Sequence, residues 1–255
     1  MKKLIAASSA QAMTIHRTTH PDYVTPDPGC WGRFTHQLQD GCYQVMARTC
    51  WDWTVSGFRP GRVRSIELMD IQATDRVLLV GEGSGLDLEC LPDHVNKANL
   101  RAFDFSDQMV TSCRQKAAVL NIPEENIFQG DAQHMALDDR SFDKIFFPLS
   151  LGSIPDPAQA LREAERVLAP GGRIVVMEKM VDDGHQPSCG RKVVNFFTKC
   201  VFADINRNLR AMVGDTPLEI TQYEDLAGQL NGCFAGFVGR YYRIAVLERP
   251  KAKIE

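Results

Sequence analysis

The sequence predicts an α/β fold in which a parallel sheet carries helices on both faces. Between residues 75 and 178, apolar segments of strand length alternate with segments whose apolar residues recur at helical spacing. This alternation is typical of parallel sheets, because each crossover between parallel strands needs a connection about as long as a helix. A turn with three glycines, residues 81–85, directly follows the first apolar segment, as expected where a buried strand breaks before a helix.

The first 71 residues precede the predicted sheet. Residues 1–30 contain three prolines and a glycine near their end, so we predict an irregular arm. Helical spacing then runs from 31 to 55 and from Arg62 to Met69, with Pro60-Gly61 as a break between the two segments. Residues 31–71 are therefore predicted to form a helical cap.

Residues 72–180 are predicted to form the core of the sheet. The five predicted strands are residues 75–80, 99–105, 126–130, 142–147 and 173–178. The predicted helices between them are residues 86–91, 106–120 and 156–168, and Ser106 is a suitable N-cap for the second of these.

The pattern changes after residue 181. Ser188 to Met212 is predicted to be helical, Leu218 to Tyr223 is compatible with a strand or a helix, and Arg240 to Leu247 is predicted to be a strand. We interpret residues 181–255 as helices that cover the substrate, followed by the final strands of the same domain.

Composition narrows the classes of function. The 255 residues carry a net charge of −3, so the chain lacks the dense positive charge that non-specific nucleic-acid binding requires. The densest basic cluster, Arg59, Arg62 and Arg64, is interpreted as a solvated face or a contact to one phosphate group. The eight cysteines show no zinc-ligand spacing, and we predict no metal site.

Localisation is predicted from what the sequence lacks. No stretch approaches the roughly 20 apolar residues that cross a bilayer, and residues 4–7 are too short for a signal-peptide core. The expectation is a cytoplasmic protein. The basic N-terminal arm leaves peripheral membrane contact open as an alternative to a disordered N-terminus.

Two acids lie where the predicted second and third strands end. Asp104 follows Gly81 by 23 residues, a position from which a carboxylate accepts hydrogen bonds from ribose hydroxyls. Asp131, in Gly130-Asp131-Ala132, is placed to receive an adenine amine. For Asp104, a solvated turn residue or a helix cap is the alternative reading.

The glycine turn favours a nucleoside over a dinucleotide. Leu86 stands where the dinucleotide-binding fingerprint has its third spaced glycine. Glu82, inside the turn, would repel a pyrophosphate. These two features count against a nicotinamide enzyme.

Taken together, these motifs resemble class I S-adenosylmethionine-dependent methyltransferases. The resemblance covers residues 72–180 and is carried by Val77-Leu78-Leu79-Val80-Gly81-Glu82-Gly83-Ser84-Gly85, Phe103-Asp104-Phe105-Ser106-Asp107-Gln108-Met109, Gln129-Gly130-Asp131-Ala132, Ser141-Phe142-Asp143-Lys144-Ile145 and Arg166-Val167-Leu168-Ala169-Pro170-Gly171-Gly172-Arg173-Ile174. It implies a Rossmann-like seven-stranded sheet, an N-terminal helical cap, a helical insertion after the fifth strand, and S-adenosylmethionine as cofactor.

The resemblance also implies which residues bind that cofactor. The glycines would shape the methionine pocket, Asp104 would hold the ribose, Phe105 and Met109 would flank the adenine, and Asp131 would reach its amine. Ser150 or Leu151 would face the transferable group. The implied cofactor residues are Gly81, Glu82, Gly83, Gly85, Asp104, Phe105, Met109, Asp131, Ala132 and Ser150.

Two positions depart from the family pattern. Relatives usually carry an acid where this chain has Leu79, and a small residue or cysteine where it has Glu82. Glu82 would then replace the acid that helps to place the cationic amine of the cofactor. Alternatively, the cofactor donates a group other than methyl, as in rhodoquinone-forming proteins, which use it as an amino donor.

Within the superfamily, the chain is most similar to quinone C-methyltransferases and bacterial phospholipid N-methyltransferases. The similarity rests on Gly85-Leu86-Asp87-Leu88 and on Trp51-Asp52 ahead of Gly61-Arg62. It implies methyl transfer to a small or lipid-like acceptor, and not to a nucleic acid. A cofactor-binding regulator without catalysis is the alternative from a different class.

No catalytic residue stands out in the sequence. His134 is a candidate base, with a surface or capping role as the alternative. Arg207 is a candidate for binding a phosphate or a quinone oxygen. It is predicted to share a helical face with Asp204 and Arg210, and the alternative is that these three residues form a surface ion-pair ladder.

Overall fold

A computed structural model describes residues 55–180, 192–193, 195–196, 204–214, 216–230 and 241–250. The predicted arm at 1–30, the first cap helix up to residue 54, and most of the predicted helix at 188–203 lie outside the described residues. None of the helices in the described part of the chain is long and apolar enough to span a membrane.

Four α-helices and seven strands have described bounds, and residues 192–193 and 195–196 are helical, as predicted within 188–212. The helices are α1 (Arg59–Met69), α2 (Asp107–Val119), α3 (Pro157–Val167) and α4 (Leu209–Val213). The strands are β1 (Val77–Val80), β2 (Leu100–Asp104), β3 (Ile127–Gln129), β4 (Phe142–Pro148), β5 (Leu168–Lys179), β6 (Glu219–Asp225) and β7 (Tyr242–Glu248).

The seven strands form one sheet in the order β3-β2-β1-β4-β5-β7-β6. Strands β1 to β5 run parallel to one another, whereas β7 is antiparallel to both β5 and β6. The predicted seven-stranded α/β sheet is therefore confirmed. The order reverses between β1 and β4, and ligands in such sheets bind where the strands on either side of that switch point end.

The sheet separates two buried apolar clusters. Every residue of β1 is fully buried, and successive side chains point to opposite faces. Val77 and Leu79 join the cluster beneath α1, whereas Leu78 and Val80 join the cluster that contains α3. Burial on both faces is why this strand is a continuous apolar run and not an alternating one.

Three of the predicted element boundaries are wrong. Helix α1 begins at Arg59 and includes Pro60, because proline needs no backbone hydrogen bond in the first helical turn. The predicted helix at 86–91 is only a short 3₁₀ turn, Leu88–Cys90, since Leu91 is extended ahead of Pro92. Strand β5 starts at Leu168, directly after α3, and so includes Pro170-Gly171-Gly172, which lie outside the predicted strand at 173–178.

The predicted helix at 188–212 is also wrong between Asp204 and Asn208. These residues form a turn, in which the Asp204 carboxylate accepts a hydrogen bond from the Asn206 backbone. The Asn208 side chain then accepts from Ala211 N at 3.2 Å and caps α4. Such side-chain bonds to the backbone compete with a continuous helix. The region at 218–223, compatible with either structure in the sequence, is part of β6.

Candidate active site

A cavity lies at the carboxyl ends of β1, β2, β3 and β4. Nine of the ten predicted cofactor residues line it: Gly81, Glu82, Gly83, Asp104, Phe105, Met109, Asp131, Ala132 and Ser150. Gly85 does not line the cavity. A Cβ at that position would be 3.2 Å from the Cα of Cys113, so Gly85 instead lets α2 approach the turn closely.

The turn after β1 is fixed by its neighbours on both sides. The backbone N–H groups of Gly81 and Glu82 both donate to the carbonyl of Phe103, at 2.9 and 3.1 Å. The Ser150 hydroxyl donates to the Val80 carbonyl at 2.7 Å. A Cβ added to Gly81 would be 2.5 Å from the Ser150 Cβ, so this contact between the ends of β1 and β4 requires glycine.

Asp104 is partly buried at the end of β2 and holds two backbone groups. One carboxylate oxygen accepts from Gly83 N and the other from Ser106 N, both at 2.9 Å. Burial raises the pKa of Asp104, while the hydrogen bonds from the backbone oppose that shift. Each carboxylate oxygen accepts more than one hydrogen bond, so the carboxylate keeps acceptor capacity for a ligand in the cavity.

The end of the cavity near β3 has a polar and an aromatic side. One Asp131 oxygen accepts from the backbone N and the side-chain Nε2 of Gln133, at 2.8 and 3.0 Å. The Phe105 side chain is 51% exposed, while Met109 behind it is buried. Gln133 lines the cavity and was not found by sequence analysis, since nothing in the pattern distinguishes it from an ordinary polar loop residue.

The structure does not bring the two catalytic candidates into the cavity lining. His134 has a side chain that is 44% exposed, with Nδ1 3.9 Å from Asp131 Oδ2. Arg207 donates from Nη2 to the carbonyl of Ile154 at 3.0 Å, and Ile154 does line the cavity. Arg207 therefore holds the cavity edge through a backbone contact. It also pairs with Asp204, with 3.9 Å between Nε and Oδ2, although residues 204–208 form a turn and not the predicted helical face.

The main feature missed by sequence analysis is a buried cluster formed by Glu82, Asp87 and Arg62. Arg62 was predicted to be a solvated or phosphate-binding residue, which is wrong, because it is 6% exposed and its Nη1 donates to Asp87 Oδ2. Glu82 Oε1 accepts from Asp87 N at 2.9 Å. Arg62 and Glu82 both line the cavity, and Asp87 lies behind them, fully buried.

The cluster combines two acids with one base. Burial is the largest cause that raises the pKa values of Glu82 and Asp87, and the Arg62 charge opposes it. Among the described residues, five buried side-chain atoms have no hydrogen-bond partner, and three of them belong to this cluster: Glu82 Oε2, Asp87 Oδ1 and Arg62 Nε. Unsatisfied buried polar atoms are costly, so their concentration beside a cavity indicates a polar ligand there.

A sequence signal for the cluster did exist. Arg62, Ile66 and Met69 are spaced by four and three residues, which places them on one face of α1, and all three are buried. An arginine within an apolar helical stripe indicates a buried charge that needs an acidic partner.

Comparison with known proteins confirms the family resemblance. The model of the family described as "Methyltransferase domain" matches residues 78–176. The demethylmenaquinone methyltransferase of Staphylococcus epidermidis is 40% identical over 85 residues, which cover 32% of this chain and 34% of that protein. The corresponding enzyme of Bacillus mycoides is 27% identical over 118 residues, or 46% of this chain and 50% of that protein.

A solved structure shows the same fold over a longer part of the chain. The complex between the Haloferax volcanii Trm112 methyltransferase activator and the putative methyltransferase matches 82% of this chain and 98% of that chain, with a TM-score of 0.63 and 19% identity. The chain spans between a third and half of the length of the curated relatives above. Residues 78–176 therefore form a domain of the class I S-adenosylmethionine-dependent methyltransferases, and S-adenosylmethionine is the cofactor of that family.

Gly83 provides a test of where the cofactor binds. Its φ is +63°, and a Cβ there would meet nothing within 4 Å. We expect Gly83→Ala to lower the free energy of unfolding by about 1–2 kcal/mol through backbone strain. We also expect it to weaken binding of S-adenosylhomocysteine about tenfold, because the methyl group would intrude on a bound ligand.

Gly171→Ala is the matched control for Gly83→Ala. Gly171 has a φ of +76° and the same open surroundings, but it does not line the cavity. Thermal unfolding should show a similar loss of stability for both variants, and titration calorimetry should show weaker binding only for Gly83→Ala. Equal affinities in the two variants would place the ligand elsewhere.

Proposed function

We propose that this chain transfers the methyl group of S-adenosylmethionine to a small, quinone-like acceptor. One observation carries the proposal: neighbouring strand ends present Asp131, Asp104 and Glu82 in one cavity, in the sheet order β3, β2 and β1. A base, a ribose and an amino-acid arm follow one another in the same order in S-adenosylmethionine. The partial similarity to demethylmenaquinone methyltransferases supports a quinone as acceptor.

The proposed contacts follow the chemistry of each side chain. Asp131 accepts from the adenine amine, with the exposed Phe105 ring and buried Met109 against the base. Asp104 accepts from the ribose hydroxyls through the acceptor capacity that Gly83 and Ser106 leave unused.

The methionine arm is proposed to enter the buried cluster. The unpaired Oε2 of Glu82 accepts from the ammonium, and the unpaired Nε of Arg62 donates to the carboxylate. This arrangement gives Glu82 the role that an acid at the Leu79 position has in relatives, as the sequence predicted.

The protein's part in the transfer is orientation and exclusion of water. Bound S-adenosylmethionine supplies a methyl group that its sulfonium charge already activates. Pro148, Leu149 and Ser150 line the cavity where β4 ends, on the side away from β2. Leu149 has a positive φ of 57°, and its N–H donates to the Met177 carbonyl at 2.8 Å, so this strained residue is held firmly beside the acceptor.

A second candidate function is transfer of the cofactor's amino group to the quinone. It is favoured by the position of Glu82, a buried carboxyl with an unpaired oxygen and a raised pKa. An ammonium must lose a proton before its nitrogen attacks a carbon, and a carboxylate of raised pKa is a stronger base than an ordinary one. An acid at the Leu79 position, as in relatives, would lie in β1 and not in the turn that lines the cavity.

The transferred group distinguishes the two functions. The full chain would be incubated with S-adenosylmethionine labelled with ¹³C in the methyl group and ¹⁵N in the amine, together with short-chain quinones supplied both oxidised and reduced to the quinol, since the quinol is the nucleophile for methyl transfer and the quinone is the electrophile for an amine. Mass spectrometry that finds ¹³C in the quinone, with one S-adenosylhomocysteine per product, supports methyl transfer. Finding ¹⁵N in the quinone instead supports amino transfer. Binding of the cofactor without any turnover would overturn both and leave a cofactor-binding regulator.

A further inference from the structure

The Glu82–Asp87–Arg62 cluster lacks one positive charge. Two carboxyl groups share one guanidinium, and all three side chains are less than a tenth exposed. Asp87 Oδ2 accepts a hydrogen bond from Arg62 Nη1, whereas Glu82 accepts from the backbone, with the Asp87 N–H at 2.9 Å from its Oε1. Two buried carboxylates so close together do not both stay ionised beside a single cation, so the free protein holds a proton in this pair.

The surrounding titratable groups do not supply the missing charge. Arg59, on α1, is largely exposed and lies 3.9 Å from Glu89. Cys90 and Cys113 face the cluster from the 3₁₀ turn and from α2, and burial raises the pKa of both thiols, that of Cys90 to about 11, so both are neutral. Asp104, on β2, adds a further carboxyl group, and Tyr242, on β7, interacts with the Arg62 charge but is a neutral phenol because burial raises its pKa.

We propose that the ammonium of the cofactor's methionine arm replaces this proton, so that binding of S-adenosylmethionine releases a proton from the Glu82–Asp87 pair. The inference rests on the proposed cofactor site and adds a linkage to it. The proton passes to solvent, and the ammonium takes its place against Oε2 of the cavity-lining Glu82, a buried oxygen that has no hydrogen-bond partner. Each carboxylate of the pair then has its own cation, the ammonium for Glu82 and Arg62 for Asp87, while the ligand's carboxylate is proposed to accept from Arg62 Nε.

The linkage has a defined sign. A proton and the ammonium compete for the same carboxyl pair, so lower pH weakens binding. Below the apparent pKa of the pair, affinity for a ligand with an ammonium should rise about tenfold per pH unit. A ligand that lacks the amino-acid arm should show no such dependence from this cluster.

Calorimetry in buffers of different ionisation enthalpy counts the protons released. The probes are S-adenosylhomocysteine, which keeps the amino-acid arm, and methylthioadenosine, which lacks it. At about pH 6.5 the ammonium of the ligand keeps its own proton. We expect release of up to about one proton with the first ligand and close to none with the second.

Two variants test the source of the proton. Glu82→Gln and Asp87→Asn each leave one acid for Arg62, and in either variant proton release with S-adenosylhomocysteine should be lost. Glu89→Gln, which changes an exposed acid in the same 3₁₀ turn, should release as many protons as wild type. Circular dichroism establishes that each variant is folded, and either cluster variant alone is sufficient.

The possible results separate this inference from the proposed function. Binding of S-adenosylhomocysteine without proton release, or unchanged release in a folded cluster variant, overturns the linkage and leaves the cofactor site in place. Equal release with both ligands also overturns it. Failure of both ligands to bind wild-type protein overturns the proposed site and the linkage together.

Discussion

Replacing Leu79 by aspartate, one of the two acids that the family resemblance implies at this position, is expected to lower the free energy of unfolding by about 3–5 kcal/mol at pH 7. Leu79 is fully buried and belongs to the same apolar cluster as Ile66 and Met69 of α1. The substitution removes the packing of the leucine side chain. The new carboxylate would have no basic partner, because Arg62 is already paired with Asp87. Urea unfolding monitored by circular dichroism measures the change.

Leu79→Asn is the matched control, because asparagine has nearly the shape of aspartate without its charge. The asparagine variant should be destabilised less than the aspartate variant at pH 7. The difference should shrink as the pH falls: burial raises the pKa of the new acid, so the folded state keeps its proton and stability is lost as the pH rises through that pKa. Equal stability of the two variants at pH 7 would show that the Leu79 site tolerates a charge, and that Glu82 is no replacement.

The sheet, and the acidic residues where its second and third strands end, could be predicted from short stretches of the sequence. Strand β1 is a continuous apolar run because both of its faces are buried. Asp104 and Asp131 follow apolar segments, and parallel strands bring the residues after them to one edge. These two inferences need only spacing along the chain. The other cofactor residues were implied by the family resemblance, and nine of the full set of ten line one cavity.

The buried cluster was not predictable in the same way, because it depends on a pairing across 25 residues. Arg62 looks like part of a basic surface when counted with Arg59 and Arg64, and its place in the apolar stripe of α1 indicates burial but does not identify Asp87 as its partner. The prediction of a helix at Asp204–Asn208 was wrong for a different reason. The apolar spacing there fits a helix, but hydrogen bonds from Asp204 and Asn208 side chains to the backbone override the pattern.

Asp104→Ala is expected to weaken binding of S-adenosylhomocysteine about 10- to 100-fold. A hydrogen bond to a charged group is worth about 1.5–3 kcal/mol, and the carboxylate is proposed to accept from the ribose. The structure adds a second cause, because Asp104 also holds the backbone N–H groups of Gly83 and Ser106. Its loss would loosen the turn that shapes the cavity as well as remove the ribose contact. Titration calorimetry measures the affinity.

The choice of ligand and control shows which contact is lost. Methylthioadenosine keeps the ribose, so Asp104→Ala should weaken both ligands alike, whereas Glu82→Gln should weaken only S-adenosylhomocysteine. Asp75→Ala removes a carboxylate that accepts from Gln72 N at 2.8 Å near the opposite end of β1, and should leave both affinities unchanged. If Asp104→Ala bound both ligands as tightly as wild type, the ribose assignment would be wrong, and with it the alignment of the ligand along β3, β2 and β1.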